Sequence, residues 1–249
     1  MSDSAPYPPK LYGRRMGPKL SAHKQELRRT LLPKLALALV PGADPRTYFL
    51  PPPGGEAEAR SASSGGIDEV WLEVGFGAGE HLLEQARLNP RVGLIGAEPY
   101  QAGVAKFLSR LSLSPTGGEG RGEGAPNIRL YEGDARDIVA ALPDAALGRV
   151  FVLFPDPWPK ARHRKRRFIQ TAMLERLARV MQPGAELRVA SDDAGYVEWT
   201  LERVLAHAAF RWTARSPADW RSRPVGWPAT RYEAKALHGP PVYLAFVRT

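Results

Sequence analysis

From Ile67 onward, apolar strand-like runs alternate with helical segments, and that alternation narrows the possible folds more than any other feature of the chain. Glu69 to Gly75 (EVWLEVG) and Val92 to Glu98 (VGLIGAE) read as strands of the kind buried on both faces of a sheet. A helix from Gly79 to about Leu88 follows the first; Tyr100 to Leu113 follows the second, with Val104, Phe107, Leu108 and Leu111 on one face. Asn127 to Gly133 gives a third strand, Asp137 to Leu142 a short helix, and Val150 to Phe154 a fourth strand. A longer helix, from about Arg167 to Met181, lines up Ile169, Met173, Leu177 and Val180 and stops at Pro183-Gly184. Glu186 to Ala190 is the fifth strand and Ala194 to Ala208 a helix, while Phe210 to Ala214 and Val242 to Val247 close the sheet. Strands and helices in this order predict one α/β domain over residues 67–249, a doubly wound, mostly parallel seven-stranded sheet with helices on both faces.

Residues 1–66 differ. Pro and Gly cluster at Pro6 to Pro9, Pro51 to Gly55 and Ser61 to Gly66 with little periodicity between them, which predicts a flexible arm. The arm is basic: Arg14, Arg15, Lys19, Lys24, Arg28, Arg29 and Lys34 stand against one acid, Glu26. Ser21 to Leu32 reads equally as a helix formed on contact with RNA or as part of a solubilising tail. Ser114 to Pro126 (SPTGGEGRGEGAP) is expected to be a flexible loop.

Between the first strand and its helix lies Glu73-Val74-Gly75-Phe76-Gly77-Ala78-Gly79. Glycines at alternate positions let the backbone pass close to a ligand lying across the carboxyl ends of the strands. A dinucleotide fingerprint needs G-x-G-x-x-G, but its third position falls on Glu80 counted from Gly75 and on Leu82 counted from Gly77. That spacing counts against a nicotinamide cofactor. The E-x-G-x-G-x-G form instead resembles the first motif of S-adenosylmethionine-dependent methyltransferases of the Rossmann-like class. That cofactor ends in a zwitterion, whose ammonium an acid near the turn can bind. Glu98, closing the second strand, can accept from both ribose hydroxyls; Asp134, after the third, can accept from an adenine amino group. Each acid alone reads as well as a surface residue or a helix cap, but at consecutive strand ends they favour a cofactor site.

The fourth strand ends in FPDPWPK. Pro155, Pro157 and Pro159 fix φ and keep the residues before them out of helical conformation, so Asp156 is held at the strand end beside the topological switch point. The turn partly resembles the D-P-P-aromatic motif of amino-group methyltransferases, departing from it because Trp158 directly follows Pro157. Cations then crowd the chain. Arg164 to Arg167 fall at the start of the predicted helix, where positive charge costs ~0.3–1 kcal/mol, so a compensating anion is expected.

FPDPWPK followed by RHRKRR is similar to the signature of the tRNA (guanine-N7-)-methyltransferase family. The resemblance extends through ASDD (Ala190 to Asp193) and Thr230-Arg231-Tyr232-Glu233, covers Val70 to the C-terminus, and includes the basic GRRMGPKLS segment. It implies S-adenosyl-L-methionine as cofactor and tRNA as partner, with a guanine of the variable loop as the usual target. It makes Asp156 the catalytic acid and a cofactor contact, beside Glu73, Gly75, Gly77, Gly79, Glu98 and Asp134. Lys160, Asp192, Thr230, Arg231, Tyr232 and Glu233 then line the substrate pocket, and Arg162, His163, Arg164, Lys165, Arg166 and Arg167 hold the RNA backbone. Asp192 and Glu233 have the polarity to accept from guanine N1–H and its exocyclic amine, whereas adenine would leave a buried carboxylate unpaired at ~1–3 kcal/mol. Departures from the family pattern are Pro99 after Glu98, Asp193 after Asp192, and the glycine-rich insertion, all of which bear on loop geometry.

Composition bounds the alternatives. The net charge of +9 favours a polyanionic partner, although charge alone fits a merely soluble basic protein equally well. The absence of cysteine excludes disulfides, zinc–thiolate sites, iron–sulfur clusters and cysteine-nucleophile enzymes acting on pyrimidine C5. The histidines show no metal-site spacing, and His81 reads as a helix-surface residue. Trp199 and Leu201 to Leu205 read as core, and Trp212, Trp220 and Trp227 as packing of the C-terminal lobe. MSDSAPYPPK has no secretory pattern and Leu35 to Val40 falls far short of the ~20 residues of a membrane span, so a cytoplasmic protein is expected, monomer or homodimer. Two other readings are an amino-group methyltransferase on RNA or DNA, and an RNA-binding protein on a decayed methyltransferase fold. Decay should have removed acids or glycines, and Glu73, Gly75, Gly77, Glu98, Asp134 and Asp156 are all in place.

Overall fold

A computed structural model describes residues 15–50, 66–113, 127–235 and 237–249, with the side chains of all of these except Tyr232 and Lys235. The proline clusters of the expected arm, Arg14 and the glycine-rich loop at 114–126 lie outside the described residues.

Strands β1 (Glu69–Val74), β2 (Val92–Ala97), β3 (Ile128–Tyr131), β4 (Leu147–Leu153), β5 (Met181–Ser191), β6 (Phe210–Trp212) and β7 (Val242–Arg248) form one sheet in the order β3-β2-β1-β4-β5-β7-β6. The first five are parallel; β7 runs antiparallel to β5, pairing Tyr243 with Ala190, and β6 antiparallel to β7. The mostly parallel, doubly wound sheet expected from the sequence is therefore present. From β1 the chain winds outward through β2 and β3, then returns to the other side of β1 as β4. The carboxyl ends of β1 and β4 thus flank the switch point where such sheets bind ligands.

Strand alternation builds two cores. Val70, Leu72, Ile95, Val150, Val152, Leu187 and Val189 face one side, where α5 (Ala135–Ala141), α6 (Thr171–Val180) and α7 (Ala194–Leu205) bring Ile138, Met173, Leu177, Tyr196 and Val204. Trp71, Leu94 and Phe151 face the other, against Leu82 and Ala86 of α3 (Glu80–Leu88) and Val104, Phe107, Leu108 and Leu111 of α4 (Gln101–Ser112). Burying a side chain such as Phe107 contributes ~1.5–3 kcal/mol, and a strand covered on both faces has no room for a polar alternate row.

Element ends depart from expectation where side chains intervene. Helix α6 begins at Thr171 rather than Arg167, because Arg167 is extended (ψ 141°) and its side chain is drawn inward; residues Ala161–Arg166 form a separate 3-10 helix. Strand β5 begins at Met181 and takes in Pro183-Gly184, at the cost of a register irregularity against β4: a proline without N–H and a glycine at φ +83° bend a strand edge here rather than stop a helix. Helix α5 starts two residues before Asp137, because Asp134 caps it. Helix α7 ends at Leu205, which is exposed, so the predicted core run at 201–205 keeps Val204 but not its last residue.

Residues 15–50, read from sequence as part of an arm, lie against the domain. Helix α1 (Ala22–Thr30) leads into α2 (Leu32–Leu35), whose Leu35 is buried together with Leu37; the Leu37 amide donates to Leu130 at 2.8 Å, extending the β3 edge. Arg28 pairs with Glu132 at 2.7 Å. Leucines at 32, 35 and 37 carry enough apolar surface to hold this basic segment down. Among the described residues no helix is long and apolar enough to cross a membrane, and no group of three or more His, Cys, Asp or Glu is placed to hold a metal.

Candidate active site

The turn after β1 is built on three left-handed glycines, Gly75 (φ +71°), Gly77 (φ +57°) and Gly79 (φ +73°). L side chains avoid this region. A Cβ on Gly75 would meet only open space, so the turn borders a crevice; one on Gly79 would run into the Phe107 ring. Gly77 donates its amide to Glu98 Oε2 at 2.7 Å, and Tyr100 donates to Oε1 at 2.8 Å, tying the end of β2 to the glycine turn. Burial raises the pKa of Glu98 above the ordinary 4.5, the two amides oppose that shift, and the charges of Asp156 and Glu73 add to it. Three of the expected acids therefore sense one another across the crevice.

Asp134 sits apart from that group. Its carboxylate caps α5 through the Arg136 amide at 3.0 Å and pairs with the Arg136 guanidinium at 3.0 Å. Glu73 is joined by a residue the sequence reading placed on the surface. His81 is buried, with Nδ1 at 2.7 Å from Glu73 Oε2 and its ring edge-on to Phe151 at 4.6 Å. The signal was available: His81, Leu82, Gln85 and Ala86 share one helical face, and a buried acid at Glu73 needs a partner.

At the end of β4, Phe154 still donates to Ala190 at 2.7 Å, then turns at φ +49°; Trp158 follows at φ +44°. Two left-handed non-glycine residues four apart mark a turn held against its own preference. Asp156, between them, is exposed, and no described residue donates a hydrogen bond to it. What holds the turn is Arg167, expected to contact RNA but 2% exposed. Its Nε donates to Pro157 O at 2.8 Å and Nη1 to Gly195 O at 3.0 Å, while its plane lies over Tyr196 and Trp199. Arg167 is thus a strut, not a surface cation.

The rest of the basic run divides in two. Arg162, Arg164 and Lys165 are exposed on the 3-10 helix, as is Lys160 before it. Arg166 stacks over Trp158 at 4.7 Å and His163 meets the same ring edge-on at 5.9 Å. Partial desolvation and the charges of Arg166, Arg162, Lys160 and Lys165 lower the His163 pKa. Because α6 starts later, no α-helix N-terminus opposes these cations, and the dipole argument for a compensating anion does not hold; the density of exposed charge remains.

Asp192, at the end of β5, accepts from the His238 amide at 3.1 Å. Thr230 and Glu233 form a reciprocal cap on α8 (Arg231–Lys235): Glu233 N donates to Thr230 Oγ1 at 3.1 Å and Thr230 N to Glu233 Oε2 at 3.3 Å. Tyr243 Oη donates to Glu233 Oε1 at 2.6 Å and Arg223 adds an ion pair at 3.2 Å, so Glu233 is anchored to β7. Trp227 packs with Tyr243 and Ala190 beside Leu153 and Phe154, bringing this loop to the same sheet end as the Asp156 turn. Arg231 is exposed and lines a groove of about 1070 Å³ on the outer face of α3 and α4, which neither Glu98 nor Asp156 reaches. The Tyr232 side chain lies outside the described residues.

Comparison with known proteins decides the family. A family model described as "Putative methyltransferase" matches residues 68–243. The chain is 50% identical to the tRNA (guanine-N(7)-)-methyltransferase of Rhodospirillum rubrum, over 96% of this chain and 88% of that one. It is 44% identical to the protein of the same name from Brucella abortus, over 95% and 94%. The chain belongs to the tRNA (guanine-N(7)-)-methyltransferase family. The crystal structure of the 16S rRNA methyltransferase KamB has the same fold, with a TM-score of 0.52 at 20% identity, spanning 86% of this chain and all of that one.

Membership in a methyltransferase family can be tested against the residues themselves. Glu73, Glu98 and Asp156 gather negative charge around an open turn; burial raises the pKa of Glu98 first, and the charges of Asp156 and Glu73 add to it. A ligand bringing cationic centres relieves that crowding of charge. S-adenosylmethionine carries two, an ammonium and a sulfonium, so the donor set fits.

Proposed function

We propose that this protein transfers a methyl group from S-adenosyl-L-methionine to N7 of a guanine in tRNA, in keeping with the names of its relatives. One observation carries the reading: Asp156 stands on a strutted turn at the switch point, exposed and with no described hydrogen-bond donor, its charge felt by Glu98. An exposed carboxylate on a fixed turn at the switch point of such a sheet is placed to meet a ligand bound there.

When bound, the cofactor supplies an electrophilic methyl on a positively charged sulfur. Guanine N7 already offers a lone pair, so no residue has to remove a proton before attack. Asp156 stabilises the positive charge that develops on the purine, and because its turn is fixed, little reorganisation accompanies the reaction. Glu98 accepts from the ribose hydroxyls and Glu73 from the ammonium; Asp134 reaches the adenine amine while still held by Arg136. The ring of Trp158, backed by Arg166, offers a face for a purine. Asp192 and Glu233 accept from guanine N1–H and its exocyclic amine. Lys160, Arg162, Arg164 and Lys165 bind phosphates, as exposed cations near a reacting base do.

The test is product analysis. Incubated with unmodified tRNA and methyl-labelled cofactor, the protein should yield labelled 7-methylguanosine on digestion. A label on an exocyclic amine would replace this reading with the amino-group one, and no label would leave an RNA-binding protein.

A further inference from the structure

We propose that His81 is a positioning residue for the amino-acid end of the cofactor: through Nδ1 it fixes the Glu73 carboxylate in the orientation that receives the ammonium group. The inference rests on the cofactor reading above and extends it to a residue that reading does not use.

Glu73 is 3% exposed and lies in the middle of the sheet, between Gly96 of β2 and Phe151 of β4, two residues before Gly75 of the glycine turn. Among the described residues its side chain has one hydrogen-bond partner, His81 Nδ1 at 2.7 Å. A carboxylate has about four acceptor positions, and His81 Nδ1 engages one of them, so the others can accept from a ligand that reaches the turn.

His81 cannot easily turn away. Its ring is wedged edge-on against Phe151, which is in turn edge-on to Trp71 at 5.8 Å. One turn along the same helical face, Gln85 donates to Gly226 O at 2.7 Å, which locks the rotation of α3. Gly79, left-handed at φ +73°, sets the start of that helix and so the height of His81 beside Glu73.

The far ring nitrogen decides the form of the histidine. Nε2 is buried with no hydrogen-bond partner among the described residues. With Nδ1–H donating to Glu73, a neutral ring leaves only an unpaired acceptor at Nε2, whereas a cationic ring would bury an unpaired N–H. With Nδ1–H directed at Glu73, the ring orients the carboxylate toward a cationic ligand at the turn.

The probes are S-adenosylhomocysteine, which has the ammonium, and 5′-deoxy-5′-(methylthio)adenosine, which lacks the amino-acid end, each titrated calorimetrically into the full chain. His81→Phe keeps the ring contact with Phe151 and removes the donor. It should weaken S-adenosylhomocysteine by on the order of tenfold or more and leave the shorter ligand unchanged. His81→Asn, which returns an N–H near the place of Nδ1, should recover most of the loss. Equal affinity for S-adenosylhomocysteine in His81→Phe and wild type, or equal weakening of both ligands, overturns the proposal. Should His81→Phe not fold, ¹⁵N spectra of histidine-labelled wild type decide: the Nδ1–H form is expected, and an Nε2–H form overturns the proposal because Nδ1 could not then donate. If the wild type bound neither ligand, the cofactor reading itself would fail and this role with it.

Discussion

Arg167 Nε donates to the carbonyl of Pro157 across 2.8 Å, so the last cation of the basic run holds up the turn that carries Asp156. With Nη1 on Gly195 O and the guanidinium over Trp199, one buried side chain joins the β4 turn to the start of α7. Arg167→Met should lower stability by about 1.5–3 kcal/mol in denaturant unfolding, since two partly buried hydrogen bonds from a charged donor are lost. Arg167→Lys should recover only part of it, because an ammonium cannot reproduce the planar fork. Arg164→Ala, at an exposed position in the same run, should change stability by less than about 0.5 kcal/mol.

The exposed members should show the opposite behaviour. Alanine at Arg162, Arg164 or Lys165 should weaken tRNA binding regardless of sequence and reduce the slope of log affinity against log salt by about one per phosphate contact removed. Filter binding across a salt series measures this. A flat salt response in the wild type would mean that this face does not carry RNA.

Which of these cations is a buried strut and which is exposed could not be read from RHRKRR, because a run of like charges has no periodicity that assigns an inside and an outside. The parallel strands could be read, since EVWLEV and VGLIGA are apolar on both faces, and so could the glycine turn, where glycine dictates backbone directly, and the place of Asp156 after β4; the positive φ of Phe154 and Trp158, each just before a proline, could not. His81 was misread because a single polar residue on a helix is usually solvated, although it shares the inward face of Leu82, Gln85 and Ala86; the distance to Glu73 then identifies its partner. Residues 15–50 were read as an arm because composition outweighed Leu32, Leu35 and Leu37, whose spacing is too short for a convincing period. The anchoring of Glu233 by Tyr243 and Arg223 is tertiary and leaves no local mark.

Glu98 predicts a pH dependence. Burial, with Asp156 and Glu73, raises its pKa above 4.5, so the folded chain holds this proton more tightly than the unfolded one. Its contribution to stability is therefore greatest at low pH and declines as pH rises through the folded value. Accepting ribose hydroxyls requires the ionised form, so cofactor binding runs the other way. Affinity for S-adenosylhomocysteine should fall on acidification, beginning above pH 4.5, with proton release detectable by calorimetry in buffers of different ionisation enthalpy. Glu98→Gln should flatten the profile. Constant wild-type affinity down to pH 4.5 would contradict the assignment.

A substitution at Tyr243 tests whether the Thr230–Glu233 segment serves the base rather than the cofactor. Its hydroxyl lies 2.6 Å from Glu233, and burial followed by that hydrogen bond raises its pKa. Tyr243→Phe should free the Thr230–Glu233 segment at a cost of about 1 kcal/mol, read as about a fivefold rise in KM for tRNA. S-adenosylhomocysteine affinity should not change. A shift in cofactor affinity instead would place this network on the other ligand.

The central claim concerns Asp156, and the most direct measurement is single-turnover methyl transfer to tRNA by Asp156→Asn at saturating cofactor. The amide keeps the shape and the proline turn but removes the charge. A fall in rate of about 10²–10³-fold, with 7-methylguanosine still the product, is predicted. A rate equal to that of the wild type would contradict the account.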